Sequence, residues 1–275
     1  MASYAGAAVL AREVEARMLE RLQYIKLTPS RILDAGCGDG HGAKLLAERY
    51  LDAQVLGLDF AYPMLQAARS RETWLRRVFK RRRIDCLCAD IASVPLPGSS
   101  VDLVWSNLAL HCVGDPQPAL KELRRVLRVG GLLMFSCYGP DTLKELKRAF
   151  AAHDSAPHVH GFIDMHDMGD MLSVCGFSEP VMDMEVITLT YQDLDVLFAD
   201  LRATGQQNAD SGRRHGLTGK GVHSAMRAEY ETLRVEGRLP ASFEIVYGHA
   251  WKPEPRVTED GRAIIRMQAP RAEGA

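Results

Sequence analysis

The chain has 275 residues, enough for one large α/β domain or two small ones. Lysine plus arginine total 34 and aspartate plus glutamate 35, and the net charge of −1 argues against bulk nucleic-acid binding. No stretch approaches the ~20 apolar residues of a membrane span, the first residues lack the basic region of a signal peptide, and the six cysteines are scattered, so a cytoplasmic protein with reduced thiols and no membrane partner is expected.

Residues 7–23 carry apolar side chains at helical spacing. Val14, Met18 and Leu22 share a face, which predicts a leading amphipathic helix. Ser3 and Tyr4 precede it, as a frayed end or as a lid segment over the core. Ile32–Asp34 then reads as a short buried strand. It runs into a turn containing Gly36, Gly38 and Gly40 and a helix over 41–49. Glycine reaches positive φ and lets a ligand approach the main chain, and the helix N-terminus behind the turn offers free N–H groups. Gln54–Asp59 is a second apolar strand ending in an acid. It follows the first by one helix length, the spacing of a βαβ unit. An acid there can accept hydrogen bonds from two ribose hydroxyls. The glycine pattern departs from the dinucleotide fingerprint: its third glycine falls one position early, and Asp34 precedes the first.

Pro63 suits the first turn of a helix running from Met64 to Ser70. Six cations, Arg76, Arg77, Lys80, Arg81, Arg82 and Arg83, occupy eight positions after it. Such a run is a solvated face or a docking patch for an acidic protein. Ile84–Asp90 reads as a third strand ending in an acid, where Asp90 and the N–H of Ile91 could meet an adenine edge or simply close a turn. Val101–Ser106 is the fourth strand. Asn107–Cys112 follows at its carboxyl end, the ligand edge of an open α/β sheet, which makes His111 a candidate catalytic residue. Asp115-Pro116 is an N-cap followed by proline at the first helical position, and that helix runs to about Val126. Gly130-Gly131 turns the chain into a strand over 132–137. Acids at three strand ends, 34, 59 and 90, are jointly far more specific than any one motif.

The second half predicts a helix over 141–150 capped by Asp141, and a loop holding His153, His158 and His160. Neither those histidines nor Cys86 and Cys88 have a metal-ligand spacing, so no metal is expected. A helix over 164–175 closed by Gly176, a strand over 181–190, a helix over 194–203, a polar loop over 205–221, a helix over 222–236 and a strand over 242–251 follow. The residues after Pro253 read as a loose tail.

Asp34-x-Gly-x-Gly-x-Gly resembles the nucleoside-binding loop of class I S-adenosylmethionine-dependent methyltransferases. That resemblance implies an α/β, Rossmann-like fold: a seven-stranded, mostly parallel sheet with helices on both faces and a helical lid. One domain would span 1–252, its core about 31–138 and its lid and substrate elements from 1–30 and 139–240, with a tail over 253–275. Longer motifs narrow it. Gly139–Leu146, Phe162–Asp170, Pro180–Glu185 with Thr188–Tyr191, and Arg238–Trp251 resemble the malonyl-[acyl-carrier protein] O-methyltransferase family of biotin synthesis.

The resemblance implies methyl transfer from S-adenosylmethionine to the free carboxylate of a malonyl thioester on acyl-carrier protein. Asp34, Gly36, Cys37 and Gly38 would hold the methionine end and Asp59 the ribose. Phe60 and Met64 would also contact the cofactor, and Asp90 and Ile91 would meet the adenine. Asn107 and Leu108 would wall the methyl side, and Tyr4 and His111 would orient the carboxylate. The acidic carrier would dock on Arg76–Arg83 or on Lys144, Lys147 and Arg148. Met182–Glu185 and Asp200–Asn208 also resemble a mitochondrial complex I assembly factor that hydroxylates an arginine. That protein class and a non-catalytic binding protein on the same fold are the alternatives. The lack of an arginine-rich transit peptide and the Gly-His-Ala-Trp251 ending favour the biotin reading.

Overall fold

Apolar runs bounded by glycine, proline or an acid become strands here, and the amphipathic segments between them become helices. The strands are β1 (Arg31–Ala35), β2 (Gln54–Asp59), β3 (Asp85–Cys88), β4 (Val101–Ser106), β5 (Leu127–Tyr138), β6 (Ser178–Tyr191) and β7 (Leu239–Trp251). They come from a computed structural model that describes residues 2–70, 84–210, 212–214 and 216–255. These seven strands form one sheet in the order β3-β2-β1-β4-β5-β7-β6. β3, β2, β1, β4 and β5 are parallel neighbours, and β7 runs antiparallel between β5 and β6. The basic stretch 76–83 and the tail from residue 256 lie outside the described residues.

The helices are α1 (Ala2–Ala7), α2 (Val9–Arg21), α3 (His41–Arg49), α4 (Tyr62–Ser70), α5 (Pro116–Val126), α6 (Lys144–Ala151), α7 (Met165–Val174), α8 (Leu194–Ala203) and α9 (Lys220–Glu231). Successive residues of a strand point to opposite faces, so a sheet covered on both sides needs continuous apolar runs. Ile32, Leu103 and Leu132 therefore join the layer under α2, α3, α6 and α9, while Leu33, Val104 and Leu133 join the layer under α5 and α7. None of the helices among the described residues is long and apolar enough to cross a membrane.

Several boundaries differ from the sequence expectation, each for a local reason. The leading helix is two helices, because Ala8 takes ψ 29° between α1 and α2. α6 starts at Lys144 rather than at an Asp141 cap: Glu244 accepts the Asp141 N–H at 2.6 Å, and Leu143 turns left-handed at φ +55°. The strand expected over 84–90 is the shorter β3, and Asp90 lies two residues beyond it. Gly130-Gly131 lies within β5, not ahead of it. There the register to β4 shifts and Gly130 (φ +74°) donates its N–H to Lys252 O. β6 and β7 start earlier than expected, and α9 ends sooner, at Glu231. Asp115 does cap α5, accepting the Gln117 N–H at 3.0 Å, and Gly176 closes α7 at φ +85°.

The N-terminal helices are pinned from two sides. Arg17 pairs with Glu185 and Glu13, and Arg21 bonds Asp183 at 2.8 Å while its guanidinium lies 3.8 Å from the Tyr247 ring centroid. α1 packs on α8. Together these contacts carry residues from the start of the chain to the carboxyl edge of the sheet.

Candidate cofactor and substrate site

The glycine turn follows β1 because the strand must leave the sheet and enter α3 within six residues. Gly36, Gly38 and Gly40 all have positive φ. Gly36 and Cys37 both donate their N–H to Leu58 O, at 2.8 and 2.9 Å, which staples the turn to β2. Gly38 donates to Asp59 Oδ2 at 2.9 Å, and Asp59 Oδ1 accepts the Ala61 N–H at 2.8 Å. A methyl group on Gly38 would meet Tyr4 Oη at 3.4 Å and Met64 Cε at 3.5 Å. Tyr4 from α1 and Met64 from α4 therefore bracket the turn. Phe60, beside Asp59, leaves its ring 79% exposed.

Asp34 ends β1 underneath. It is buried, accepts the Ala43 N–H, and leaves Oδ2 without a hydrogen-bond partner. Burial, and then the neighbouring Glu15, push its carboxyl well above the ordinary range. This donor set fits a nucleoside cofactor with an amino-acid arm. The orphaned carboxyl oxygen suits an ammonium, the bare glycines admit the arm, and Asp59 still has lone pairs for ribose hydroxyls.

Cys37 points away from that space. Its sulfur is buried against Gly57, where an added methyl would stand 3.0 Å from Sγ, and burial pushes its thiol far up, so only its main chain faces the turn. Asp90 is exposed and uses Oδ1 to accept the Ala92 N–H at 2.8 Å, closing a turn, while Ile91 packs on the apolar layer under α5. One carboxylate would thus both cap that turn and meet an adenine.

On the other side of the turn lies the loop after β4. Asn107 donates to Ala11 O of α2 at 2.9 Å and accepts from Ser136 Oγ at 2.8 Å. Leu108 adopts φ +47°, held by its N–H to Ser136 O and Oγ. The Tyr4 hydroxyl is pushed up to about 12, chiefly by burial and then by Asp39, Asp59 and Glu15, so it remains a donor at neutral pH. Tyr138, the buried last residue of β5, packs against His111. Its own hydroxyl is raised by burial, Cys112 and Tyr4, and its ring lies 4.3 Å from that of His111.

His111 and Phe162 meet edge to face at 5.7 Å. His111 Nε2 lies 3.2 Å from Gln206 Oε1, while Nδ1 is buried without a partner, as is His160 Nδ1. Both imidazoles line a cavity of about 40 Å³ with Tyr138, Phe162 and Met168. Nothing in the sequence singled out Gln206 or Glu15, and His160 stood out only as one of three loop histidines without a metal-ligand spacing. Tyr138 could have been found as the final residue of a strand at the ligand edge. His158 instead closes a loop, bonded to Asp154 at 2.9 Å, with Arg214 on the same carboxylate.

Burial lowers the His111 imidazole from 6.5 to about 4. In the unfolded chain it takes a proton near 6.5, so its contribution to stability is complete above that pH and is lost as pH falls towards 4. The wild type should lose up to about 3 kcal/mol more than His111→Gln between pH 7 and 4, at about 1.4 kcal/mol per pH unit. Urea unfolding of both proteins across that window checks this; equal losses would mean the buried imidazole does not govern acid stability.

A sequence profile described as a methyltransferase domain matches residues 33–135. The malonyl-[acyl-carrier protein] O-methyltransferase of Gallionella capsiferriformans (strain ES-2) is 53% identical over 263 residues, covering 96% of this chain and 91% of the relative. That of Laribacter hongkongensis (strain HLHK9) is 52% identical over 272 residues, covering 97% and 91%. Among solved structures, the YcgJ protein of a Bacillus species superposes with a TM-score of 0.60 at 16% identity, covering 86% of this chain and 98% of that one. The [4+2]-cyclase SpnF superposes at 0.53 with 20% identity, covering 87% and 81%. These two share the fold alone, and a cyclase among them shows that the fold does not fix the reaction. The long, high-identity relatives carry the assignment: this chain belongs to the malonyl-[acyl-carrier protein] O-methyltransferase family.

Proposed function

We propose that the chain transfers the methyl group of S-adenosylmethionine to the free carboxylate of a malonyl thioester on acyl-carrier protein, an early step of biotin synthesis. The observation that carries it is the identity of 53% across nearly the whole chain to a protein of that name. The convergence of Asp34, the glycine turn, Asp59, Tyr4 and His111 on one edge of the sheet agrees with it. The working unit is 1–252, its core about 31–138 and its lid elements from both sides of that core.

S-adenosylmethionine supplies an electrophilic methyl group on a sulfonium. The residues do the rest. Asp34 with Gly36, Cys37 and Gly38 would hold the amino-acid arm, Asp59 the ribose and Asp90 with Ile91 the adenine, and Phe60 and Met64 would also contact the cofactor. Asn107 and Leu108 close the methyl side. A malonyl carboxylate is already an anion at pH 7, since carboxyl pKa values lie near ~4. No general base is required. Tyr4, still protonated, donates a hydrogen bond that aims the carboxylate. His111, uncharged at neutral pH, fixes the wall behind it. Charges cancel as the methyl moves, so a dry pocket favours the transition state, and positioning can supply roughly 7–11 kcal/mol.

The acidic carrier docks on cations near the same edge. Lys144 and Arg148 are exposed on α6 and Lys147 is half-buried there, its ammonium lowered by that burial. Arg76–Arg83 offers a second patch in the sequence.

Mass spectrometry of malonyl-carrier protein incubated with the enzyme and S-adenosylmethionine tests the assignment. One methyl gained on the malonyl group, and none on acetyl-carrier protein, is the expected result. No gain, with the cofactor still bound in a titration, would move the assignment to a hydroxylase or a binding protein. Tyr4→Phe, which keeps the ring and removes the donor, should cut kcat roughly 10- to 100-fold, the worth of one hydrogen bond to a charged group. Steady-state kinetics that show an unchanged kcat would remove Tyr4 from the mechanism.

A further inference from the structure

The buried positions of α2 are Leu10, Val14, Glu15 and Met18: three apolar residues and one acid. Glu15 is only 5% exposed. A carboxyl group that deep needs partners, and one is His41, whose Nδ1 lies 2.5 Å from Glu15 Oε2. His41 is the first residue of α3, directly behind the glycine turn. The next residue, Gly42, shows what else is close. A methyl group there would collide with Glu15 Oε1 and stand 3.2 Å from Asp34 Oδ2. Glu15 and Asp34 thus face each other across a bare glycine, and that same Asp34 oxygen has no hydrogen-bond partner. Two buried carboxyl groups share one imidazole and one backbone N–H, from Ala43. The cluster is short of one group that is positive and rich in N–H donors.

Resting on the S-adenosylmethionine reading above, we propose that Glu15, delivered by the N-terminal helix, is a second carboxylate for the cofactor's α-ammonium, sharing it with Asp34, and that His41 holds Glu15 in place. An ammonium has three N–H donors and no acceptor, so one carboxylate does not satisfy it. Delivery by α2 makes the N-terminal segment part of the cofactor site. It also accounts for glycine at position 42, where a side chain would occupy the space between the acids. If the Glu15–His41 pair served only to join α2 to α3, its loss would lower stability and weaken all ligands alike.

The test is isothermal titration of the full chain with two ligands, S-adenosylhomocysteine and its deamino analogue, which lacks only the α-amino group. Glu15→Gln should weaken S-adenosylhomocysteine roughly 10- to 100-fold, the range for a hydrogen bond to a charged group, and leave the deamino analogue unchanged. Equal losses for the two ligands, or no loss for either, would overturn the proposal. If Glu15→Gln does not fold, Glu15→Asp, which keeps the charge but withdraws it by one methylene, should show the same selective loss. The wild type should itself prefer the amino ligand, and equal affinity would also overturn the proposal. Failure of the wild type to bind S-adenosylhomocysteine at all would instead sink the cofactor reading.

Discussion

Asp59→Ala is expected to abolish measurable cofactor binding. The carboxylate stands at the end of β2, and its oxygens already accept from Gly38 and Ala61 at 2.9 and 2.8 Å. It therefore has two tasks. It holds the middle glycine of the turn in place, and in the proposed function its remaining lone pairs would accept from the ribose. Hydrogen bonds to a charged group are worth roughly 1.5–3 kcal/mol each, so losing two to a ribose costs roughly 3–6 kcal/mol, about 10²- to 10⁴-fold in affinity. Calorimetric titration with S-adenosylhomocysteine reads this directly, and the melting temperature separates it from unfolding. Asp59→Asn keeps one acceptor oxygen and should fall between the two proteins. Tight binding by the alanine variant would remove Asp59 from the site.

Gly36→Ala should cost the most stability of the single-methyl changes in the turn. Gly36 sits at φ +82°, and an added Cβ would collide with Ala109 Cβ and approach Ala109 Cα at 3.7 Å. The left-handed backbone costs a side chain roughly 1–2 kcal/mol, and overpacking adds roughly 1–3 kcal/mol. The expected loss is about 2–5 kcal/mol, against a total of roughly 5–15 kcal/mol for a domain. Ala109 follows Asn107 and Leu108, so the displacement would also shift the loop proposed to wall the methyl side, and activity should drop by more than the stability loss explains. Gly237→Ala is the control: φ is +75°, but nothing lies within 4 Å of the added methyl. It should show the backbone cost alone. Urea unfolding of the two variants decides whether close approach or backbone strain dominates at Gly36.

Local chemistry made much of the fold legible. Parallel strands buried on both faces are continuous apolar runs, and β1, β2 and β4 stood out for that reason. Asp115 before Pro116 marked the start of α5 because an N-cap and its proline are neighbours in sequence. Where boundaries moved, a distant residue had intervened. Glu244, from β7, takes the Asp141 N–H and delays α6. Lys252 bonds the Gly130-Gly131 segment from beyond the end of β7 and draws it into β5.

The same division runs through the site. Asp34 and Asp59 could be located at the carboxyl edge of the sheet from sequence because the carboxyl ends of parallel strands all lie on that edge. Asp90 followed the same logic, although its strand stops two residues short and its side chain turns to Ala92. The expectation that Tyr4 lies over the core needed only a lid. Its actual place above Gly38 depends on the bend at Ala8 and on α1 packing against α8.

The sequence by itself determined the sheet, the glycine turn and the acids at its edge, since each follows from periodicities and turn chemistry a few residues long. Only the tertiary structure decided which groups those acids meet. Glu15 reads as one more surface charge in an amphipathic helix until α2 docks and turns it towards His41 and Gly42. Gln206 reaches His111 across 95 positions. Contacts of that kind are set by how elements pack, because burial belongs to the interface between helices and sheet and not to any residue alone.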